Sequence, residues 1–400
     1  MSRNWSISPY NSHPGVVSDL KFPSEVIFSD CTLREGEQQP GVVLSKEDKL
    51  RLAQALDEIG IQQLEVCMPA VSEEERESLY RISKAGLNAK TLAVCRILRE
   101  EIDIASDCGA WGVVLSIPAG ELQIKYKLKW THEKIIEATQ TILQYARGKG
   151  LYVVLSPYDT PRAEPDFLER LLKEAVQTGC MDRVRMVDTV GSASPEAVRF
   201  LVKKMIRTTA LPIEVHCHND FGLATANTIA GLSAGAEVAS TVLNGMGERS
   251  GSAATEEVAW ALKVLYGVDT HLRFEKLYAI SEMLQQMSGV KLQPHKPVVG
   301  RNSFAQEAGL IVSGLLQHPF TAMAYRPELV GQKLSILLGK KSGKATIRMK
   351  LQELGMSGDE RQIEKILDKV KTESQRKKSV VSDEEFLNIV NQVLQGGKNG

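Results

Sequence analysis

Short runs of β-branched and apolar residues alternate with amphipathic helical stretches along the chain from Glu25 onward. The alternation repeats eight times and ends with a helical stretch over residues 255–266. Strands are predicted over residues 26–28, 64–66, 91–95, 113–117, 152–155, 184–187 and 237–243, with the strand that carries His216 as the seventh. Eight β/α units in about 240 residues favour a TIM (β/α)8 barrel over an open doubly wound sheet.

The other predicted segments precede or follow this barrel. We predict an N-terminal extension over residues 1–24, the barrel domain over 25–270, a helix and linker over 271–300, and small, mostly helical C-terminal subdomains over 301–400. The last part looks too thin to bury a large core alone, so we expect it to pack against the barrel or another subunit. Its helices are predicted over residues 304–316, 362–371 and 383–394.

His216 and His218 alternate with apolar residues, so both imidazoles point to one side of the seventh strand. Such a pair is half of a metal site, although two hydrogen-bonded histidines would give the same pattern. Glu35 follows the first strand, and strands one, eight and seven are neighbours in a closed barrel. The three side chains could therefore hold Mg²⁺, Mn²⁺, Zn²⁺ or Fe²⁺, with Asn219 and Asp220 as outer partners.

Two further segments lie at the same predicted strand ends. Arg34 could clamp a substrate carboxylate or an oxyanion, or it could form a salt bridge to Glu37. The glycine-rich loop over residues 245–252 could cradle a phosphate, or it could be a tight turn with Glu248 and Arg249 as an internal ion pair.

The composition of the chain limits the kinds of molecule that the protein is expected to bind. The chain has 49 basic and 49 acidic residues, which argues against nucleic acid or an anionic membrane as partner. Six cysteines stand singly, as expected of buried thiols in a reducing cytoplasm, and no apolar stretch approaches membrane-spanning length. Lys340, Lys341, Lys344 and Arg348 form a basic cluster that could meet the phosphates of a carrier such as coenzyme A or be a solvated charged face.

Three motifs together resemble the homocitrate synthase / 2-isopropylmalate synthase family of metal-dependent, lyase-type TIM barrels. They are DCTLREGEQ from Asp30 to Gln38, HCHND from His216 to Asp220, and NGMGER from Asn244 to Arg249. The single cysteines and the lack of a long apolar stretch predict a cytoplasmic protein. The resemblance implies a homodimer that joins acetyl-CoA to a 2-oxo acid in a Claisen condensation with a divalent cation. It implies Glu35, His216 and His218 as metal ligands, Arg34 as the residue that holds the oxo acid and its alkoxide, and Thr189 as the binder of the substrate carboxylate.

The chain departs from the family at the residues that generate the carbon nucleophile. The family has a glutamate at Tyr158, histidines at Gln306 and Ile311, a further histidine at Lys341 and an asparagine at Ser252. The reference pKa of a tyrosine is about 10, so Tyr158 is a poor base at neutral pH unless it is strongly perturbed. We therefore expect a specialised synthase, with Arg34 and Tyr158 as catalytic candidates and Gln38, Ser252 and Lys341 as further site candidates.

One hypothesis is that the nucleophile arises without deprotonation, for example by decarboxylation of a malonyl-type donor. Alternatives are a metal-dependent lyase or aldolase that breaks a carbon–carbon bond, and a pseudoenzyme that binds a 2-oxo acid without turnover. A non-haem iron oxygenase ranks last, because its usual all-β scaffold differs from the barrel predicted here.

Overall fold

The computed structural model describes residues 4–395 and confirms the predicted barrel. Eight parallel strands follow one another around a closed sheet, and the last strand pairs with the first. The strands are β1 Ile27–Asp30, β2 Gln63–Cys67, β3 Lys90–Cys95, β4 Gly112–Pro118, β5 Tyr152–Tyr158, β6 Arg183–Asp188, β7 Ile213–Cys217 and β8 Val238–Thr241. The strands that carry the predicted site residues are therefore neighbours, as the sequence indicated.

Helices follow the strands in the expected alternation. In and beside the barrel they are α1 Pro14–Val17, α2 Lys46–Glu58, α3 Glu73–Lys84, α4 Arg99–Asp107, α5 Glu121–Gln123, α6 His132–Gly148, α7 Pro165–Gln177, α8 Pro195–Thr209, α9 Ala224–Leu232, α10 Thr255–Tyr266 and α11 Leu277–Ser288. The predicted caps are present: Ser45 and Asp48 form a capping box at α2, and the Ser194 side chain accepts a hydrogen bond from the N–H of Ala197 at α8.

Two strands extend further than their apolar runs. β4 continues to Pro118 and β5 to Tyr158, with Ser116 opposite Ser156 and Pro118 opposite Tyr158. The prediction ended β5 at residue 155, because serine and proline are uncommon inside a strand. The added residues line a cavity at the carboxyl ends of the strands, where polar side chains replace the core.

The chain divides into two compact units. One runs from Pro9 to Leu292, and the other combines the described residues before Pro9 with those after Leu292. The second unit contains a two-stranded parallel sheet, β9 Ala305–Gln306 with β10 Ser335–Ile336, and the helices α12 Gly309–Gln317, α13 Lys344–Glu353, α14 Glu360–Lys377 and α15 Asp383–Gln395.

This second unit has a small hydrophobic core of its own. Ile347, Leu351, Ile366, Val370 and Val390 are among the buried residues that pack together in it. The helix α13 was not predicted, because only Thr346, Ile347 and Leu351 along it are buried and its basic residues dominate the pattern. The first helix of the unit begins at Gly309, five residues later than predicted.

Two expectations from composition also have a structural counterpart. All six cysteines are free thiols. Within residues 4–395, no helix combines the length and the apolar character that crossing a bilayer requires.

Candidate active site

Glu35, His216 and His218 meet at the carboxyl end of the barrel. All three are buried, and one possible ligand atom from each lies within 4.8 Å of the other two. His216 Nε2 is 3.3 Å from His218 Nε2, which is 3.8 Å from Glu35 Oε1. Donors about 2.1 Å from one divalent cation are about 3–4 Å apart, so these separations fit a shared ion.

The two imidazoles are suited to bind a cation. Burial lowers the pKa of His216 well below its usual range and also lowers the pKa of His218, so both rings are neutral at neutral pH. His216 Nδ1 lies 2.8 Å from Ser240 Oγ, which turns Nε2 toward Glu35 and His218. His218 Nδ1 is buried and has no hydrogen-bond partner among the described residues. The donor set therefore fits a divalent cation.

A chain of alternating charges fills the barrel interior next to these donors. This ion-pair chain runs Glu35, Arg34, Glu65, Arg185, Glu214, Arg183. Arg185 Nη2 is 2.6 Å from Glu65 and 2.7 Å from Glu214. Burial opposes ionisation of Glu65, but Arg185 and Arg34 outweigh it and lower its pKa to about 2. Apolar side chains usually fill this space in a TIM barrel.

Arg34 is fixed in place by this ion-pair chain. Its Nε donates to Glu65 Oε1 at 2.6 Å, and its Nη1 donates to Glu35 Oε2 at 2.5 Å and to Gln38 Oε1 at 2.7 Å. The alternative salt bridge to Glu37 is wrong, because Glu37 pairs with Lys49 at 2.6 Å. The guanidinium is thus held beside the candidate metal donors.

A cavity of about 360 Å³ opens above these residues. Arg34, Gln38, Tyr158 and Thr189 line it together with the three candidate metal donors. Thr189 Oγ1 accepts the N–H of Asp159 at 2.7 Å, so its own proton can be donated to a substrate. The cavity therefore gathers most of the site residues that the sequence indicated.

Tyr158 is not set up as a base. Burial and the Asp159 carboxylate raise the pKa of its phenol, so the hydroxyl stays protonated at neutral pH. The ammonium of Lys127 lies 5.0 Å from the centroid of its ring. A tyrosine that removes a proton at neutral pH needs a lowered pKa, and the pKa of Tyr158 is raised.

The glycine-rich loop is the tight turn of the two alternatives. Gly247 has a φ of +140°, and a Cβ there would lie 3.1 Å from Glu35 Oε1 and 3.2 Å from Ser252 Oγ. The N–H of Glu248 donates to Glu35 Oε1 at 3.2 Å, so it is directed at a protein carboxylate. Arg249 pairs with Glu248 at 3.3 Å and, more closely, with Asp220 at 2.8 Å.

Several other candidates lie elsewhere. The Asn219 side chain accepts the N–H of Ala224 and Asp220 binds Arg249, so the outer partner of His216 is Ser240 instead. Gln306, Ile311 and Lys341 belong to the second unit. In the basic cluster there, Lys344 pairs with Glu364 and Arg348 with Glu360, which favours the charged-face interpretation.

Four residues next to the candidate metal donors were not predicted from the sequence: Glu65, Arg185, Glu214 and Ser240. A signal for two of them, Arg185 and Glu214, exists at a period of two residues: Arg183 and Arg185 alternate along β6, and Glu214 precedes His216 at the same spacing along β7. Charged residues repeated on one face of a buried strand point to an interior that is ion-paired. Ser240 carries no such signal, because its role depends on the register of β7 and β8, which places it opposite His216.

The fold and site define a TIM-barrel protein with a candidate two-histidine, one-carboxylate metal centre. Residues 25–284 match the family model described as HMGL-like, and residues 298–378 match the model described as homocitrate synthase post-HMGL domain-like. The chain belongs to the HMGL-like family.

Curated relatives extend the likeness over nearly the whole chain. The chain is 42% identical to "Homocitrate synthase AksA" of Methanopyrus kandleri over 97% of each protein. It is 41% identical to "(R)-citramalate synthase CimA" of Methanocaldococcus jannaschii, over 91% of this chain and 74% of that one. A solved HMG-CoA lyase from Bacillus subtilis has a TM-score of 0.62 at 19% identity, covering 68% of this chain and 97% of that one, and this likeness shows the fold.

Proposed function

We propose that the protein joins a 2-oxo acid to an acyl group carried by coenzyme A, in a metal-dependent Claisen-type condensation. The observation that carries the proposal is the meeting of Glu35, His216 and His218 beside Arg34 and Thr189 around one cavity. Its chemistry fits a 2-oxo acid, which offers an oxo oxygen and a carboxylate on adjacent carbons. Relatives named homocitrate synthase and citramalate synthase, about as long as this chain or longer, support it.

Each residue has a role that its geometry suits. Glu35, His216 and His218 would hold Mg²⁺, Mn²⁺ or Zn²⁺, with Fe²⁺ less suited, and the cation would polarise the oxo group when bound. Arg34, held by Glu65, would stabilise the oxygen as it gains negative charge. Thr189 would donate its hydroxyl proton to the substrate carboxylate.

The source of the carbon nucleophile follows from Tyr158. Because its phenol stays protonated, we propose a donor that needs no base, such as a malonyl thioester. Its carbon–carboxylate bond breaks, CO₂ leaves, and the electron pair remains on the carbon that attacks the oxo carbon. The oxo oxygen then takes up a proton, which Tyr158 at the cavity wall or water can supply, and water cleaves the thioester of the product to release free coenzyme A.

The test is an incubation of chelator-treated protein, reloaded with Mg²⁺, Mn²⁺ or Zn²⁺, with a panel of 2-oxo acids and either acetyl-CoA or malonyl-CoA. Release of free thiol that depends on an oxo acid, with a hydroxy acid detected by mass spectrometry, supports the condensation. Efficient turnover of acetyl-CoA would contradict the decarboxylative donor while leaving the synthase assignment in place.

The rival functions give different results in the same assay. A lyase would cleave hydroxy acids or their thioesters and would release no free thiol from an acyl-CoA and a 2-oxo acid. A pseudoenzyme would bind 2-oxo acids, as measured by calorimetry, and would turn over no donor. The homodimer and the cytoplasmic location stay predictions, which sedimentation and cell fractionation can test.

A further inference from the structure

The cavity has an apolar side that the proposed chemistry does not use. Met68, Val94, Ile97, Val114, Leu128 and Val187 line it, and we call this surface the apolar wall. Val94, Val114 and Val187 are 6%, 1% and 6% exposed, and Val94 and Val114 pack with Leu92 and Val154 in one buried cluster. The apolar wall is therefore the surface of a packed core that remains open to a ligand.

The cationic side chains of the cavity are already engaged. Arg34 pairs with Glu35 and Glu65, and Arg185 pairs with Glu65 and Glu214. Arg96 pairs with Glu101, but its side chain is 62% exposed. Among the described lining residues this leaves Lys127, which is exposed and lies over the ring of Tyr158. A second carboxylate laid on the apolar wall would lose its hydration without gaining a partner there.

Resting on the proposed function, we infer that the apolar wall selects a 2-oxo acid with a hydrocarbon side chain. The carboxylate and oxo group lie at Thr189, Arg34 and the metal donors, and the side chain extends from them onto Val94, Val114 and Val187. Dicarboxylic oxo acids, which carry a charge at the far end, bind more weakly. A volume of about 360 Å³ limits the side chain to a small one, because the acyl group of the donor enters the same space.

An isosteric pair of ligands tests this inference. The substituent of 2-oxoglutarate ends in a carboxylate, and that of 5-methyl-2-oxohexanoate has the same number of heavy atoms but ends in two methyl groups. Titration calorimetry on the Mg²⁺-loaded protein is expected to show at least about 10-fold tighter binding of the hydrocarbon acid. Equal or tighter binding of 2-oxoglutarate overturns the inference. Binding or turnover of no 2-oxo acid at all overturns the proposed function as well.

Two neighbouring valines on β4 provide a matched pair of variants. Val114 lines the cavity, whereas Val113 is equally buried and points to the other face of the strand. V114A is expected to shift the affinity ratio of 5-methyl-2-oxohexanoate to 3-methyl-2-oxobutanoate about 10-fold toward the longer acid, and V113A to leave it within about 2-fold. An equal shift in both variants would show that Val114 does not contact the side chain and would overturn its assignment.

Lys127 provides the remaining arm. The variant K127M removes the rim charge, and the preference for the hydrocarbon acid is expected to persist in it. If wild type binds 2-oxoglutarate tightly and K127M loses that binding, the rim ammonium recognises a second carboxylate and the inference is wrong.

Discussion

The ion-pair chain and the apolar wall occupy the same barrel and are stabilised in opposite ways. The ion-pair chain places six charges, five of them buried, in β2, β6, β7 and the loop after β1, each balanced by a neighbour of opposite sign. The apolar wall consists of hydrocarbon side chains, mostly from β3, β4 and the loops beside them. The same barrel thus contains two kinds of region. In the ion-pair chain each charge needs its partner, whereas the apolar wall is expected to tolerate exchange of one apolar side chain for another.

The largest effect is expected from Glu65→Gln. The change leaves Arg34 and Arg185 without the carboxylate that they share, and breaking a buried pair in this way destabilises a protein by about 3–5 kcal/mol. Urea unfolding followed by circular dichroism measures it. Glu77→Gln is the control, because its pair with Arg81 is exposed and should change stability by less than about 1 kcal/mol. Equally small losses of unfolding free energy in both variants would show that the ion-pair chain does not depend on Glu65.

His218→Ala should come next. Loss of a residue that hydrogen-bonds to a metal ligand lowers metal affinity by up to about 100-fold. Loss of the ligand itself is expected to lower Mn²⁺ affinity by more than that, and calorimetry measures the change. His132→Ala serves as the comparison, because His132 stacks on Phe167 and pairs with Glu121 away from the cavity. Unchanged Mn²⁺ affinity in His218→Ala would remove the metal centre from the proposal.

A smaller loss is expected from Ser240→Ala. Without the contact to Nδ1 the ring of His216 is less well oriented, and Mn²⁺ affinity should fall about 10-fold. Ser29 pairs with Ser240 across β1 and β8, and its hydroxyl has no hydrogen-bond partner among the residues described. Ser29→Ala should therefore leave the affinity as it is. Equal effects of the two changes would point to packing as the cause.

Tyr158→Phe should have the smallest effect. Because burial raises the pKa of Tyr158 above its usual value near 10, the phenol stays mostly protonated between pH 6 and 9. The rate with malonyl-CoA should fall by less than about 10-fold, and the shape of its pH profile over this range should not change. Disappearance of a rising limb in the variant would instead identify Tyr158 as a base.

The sequence predicted the barrel well because strands and helices there alternate with their proper periods. Ser45 with Asp48 and Ser194 with Pro195 mark helix starts by local chemistry, which does not depend on the fold. The convergence of Glu35 with His216 and His218 followed from barrel closure, which makes β1, β8 and β7 neighbours.

Other features depend on contacts that no local pattern reveals. The sequence offers a substrate or Glu37 as partners of Arg34, yet its partner Glu65 lies 31 residues away on the next strand. The apolar wall combines residues from separate strands and loops, and each of them alone looks like ordinary core. The ends of β4 and β5 were underestimated because residues that line a cavity do not resemble those that fill a core.

The alternation of signs along the barrel axis also constrains how this interior can evolve. Replacement of one charged member by an uncharged residue leaves the neighbouring charge buried without its partner. Replacement of two adjacent members by apolar residues of similar size can leave the stability nearly unchanged. Descendants of this protein should therefore gain or shed these charges in couples, and ancestral intermediates with an odd number of them should be rare.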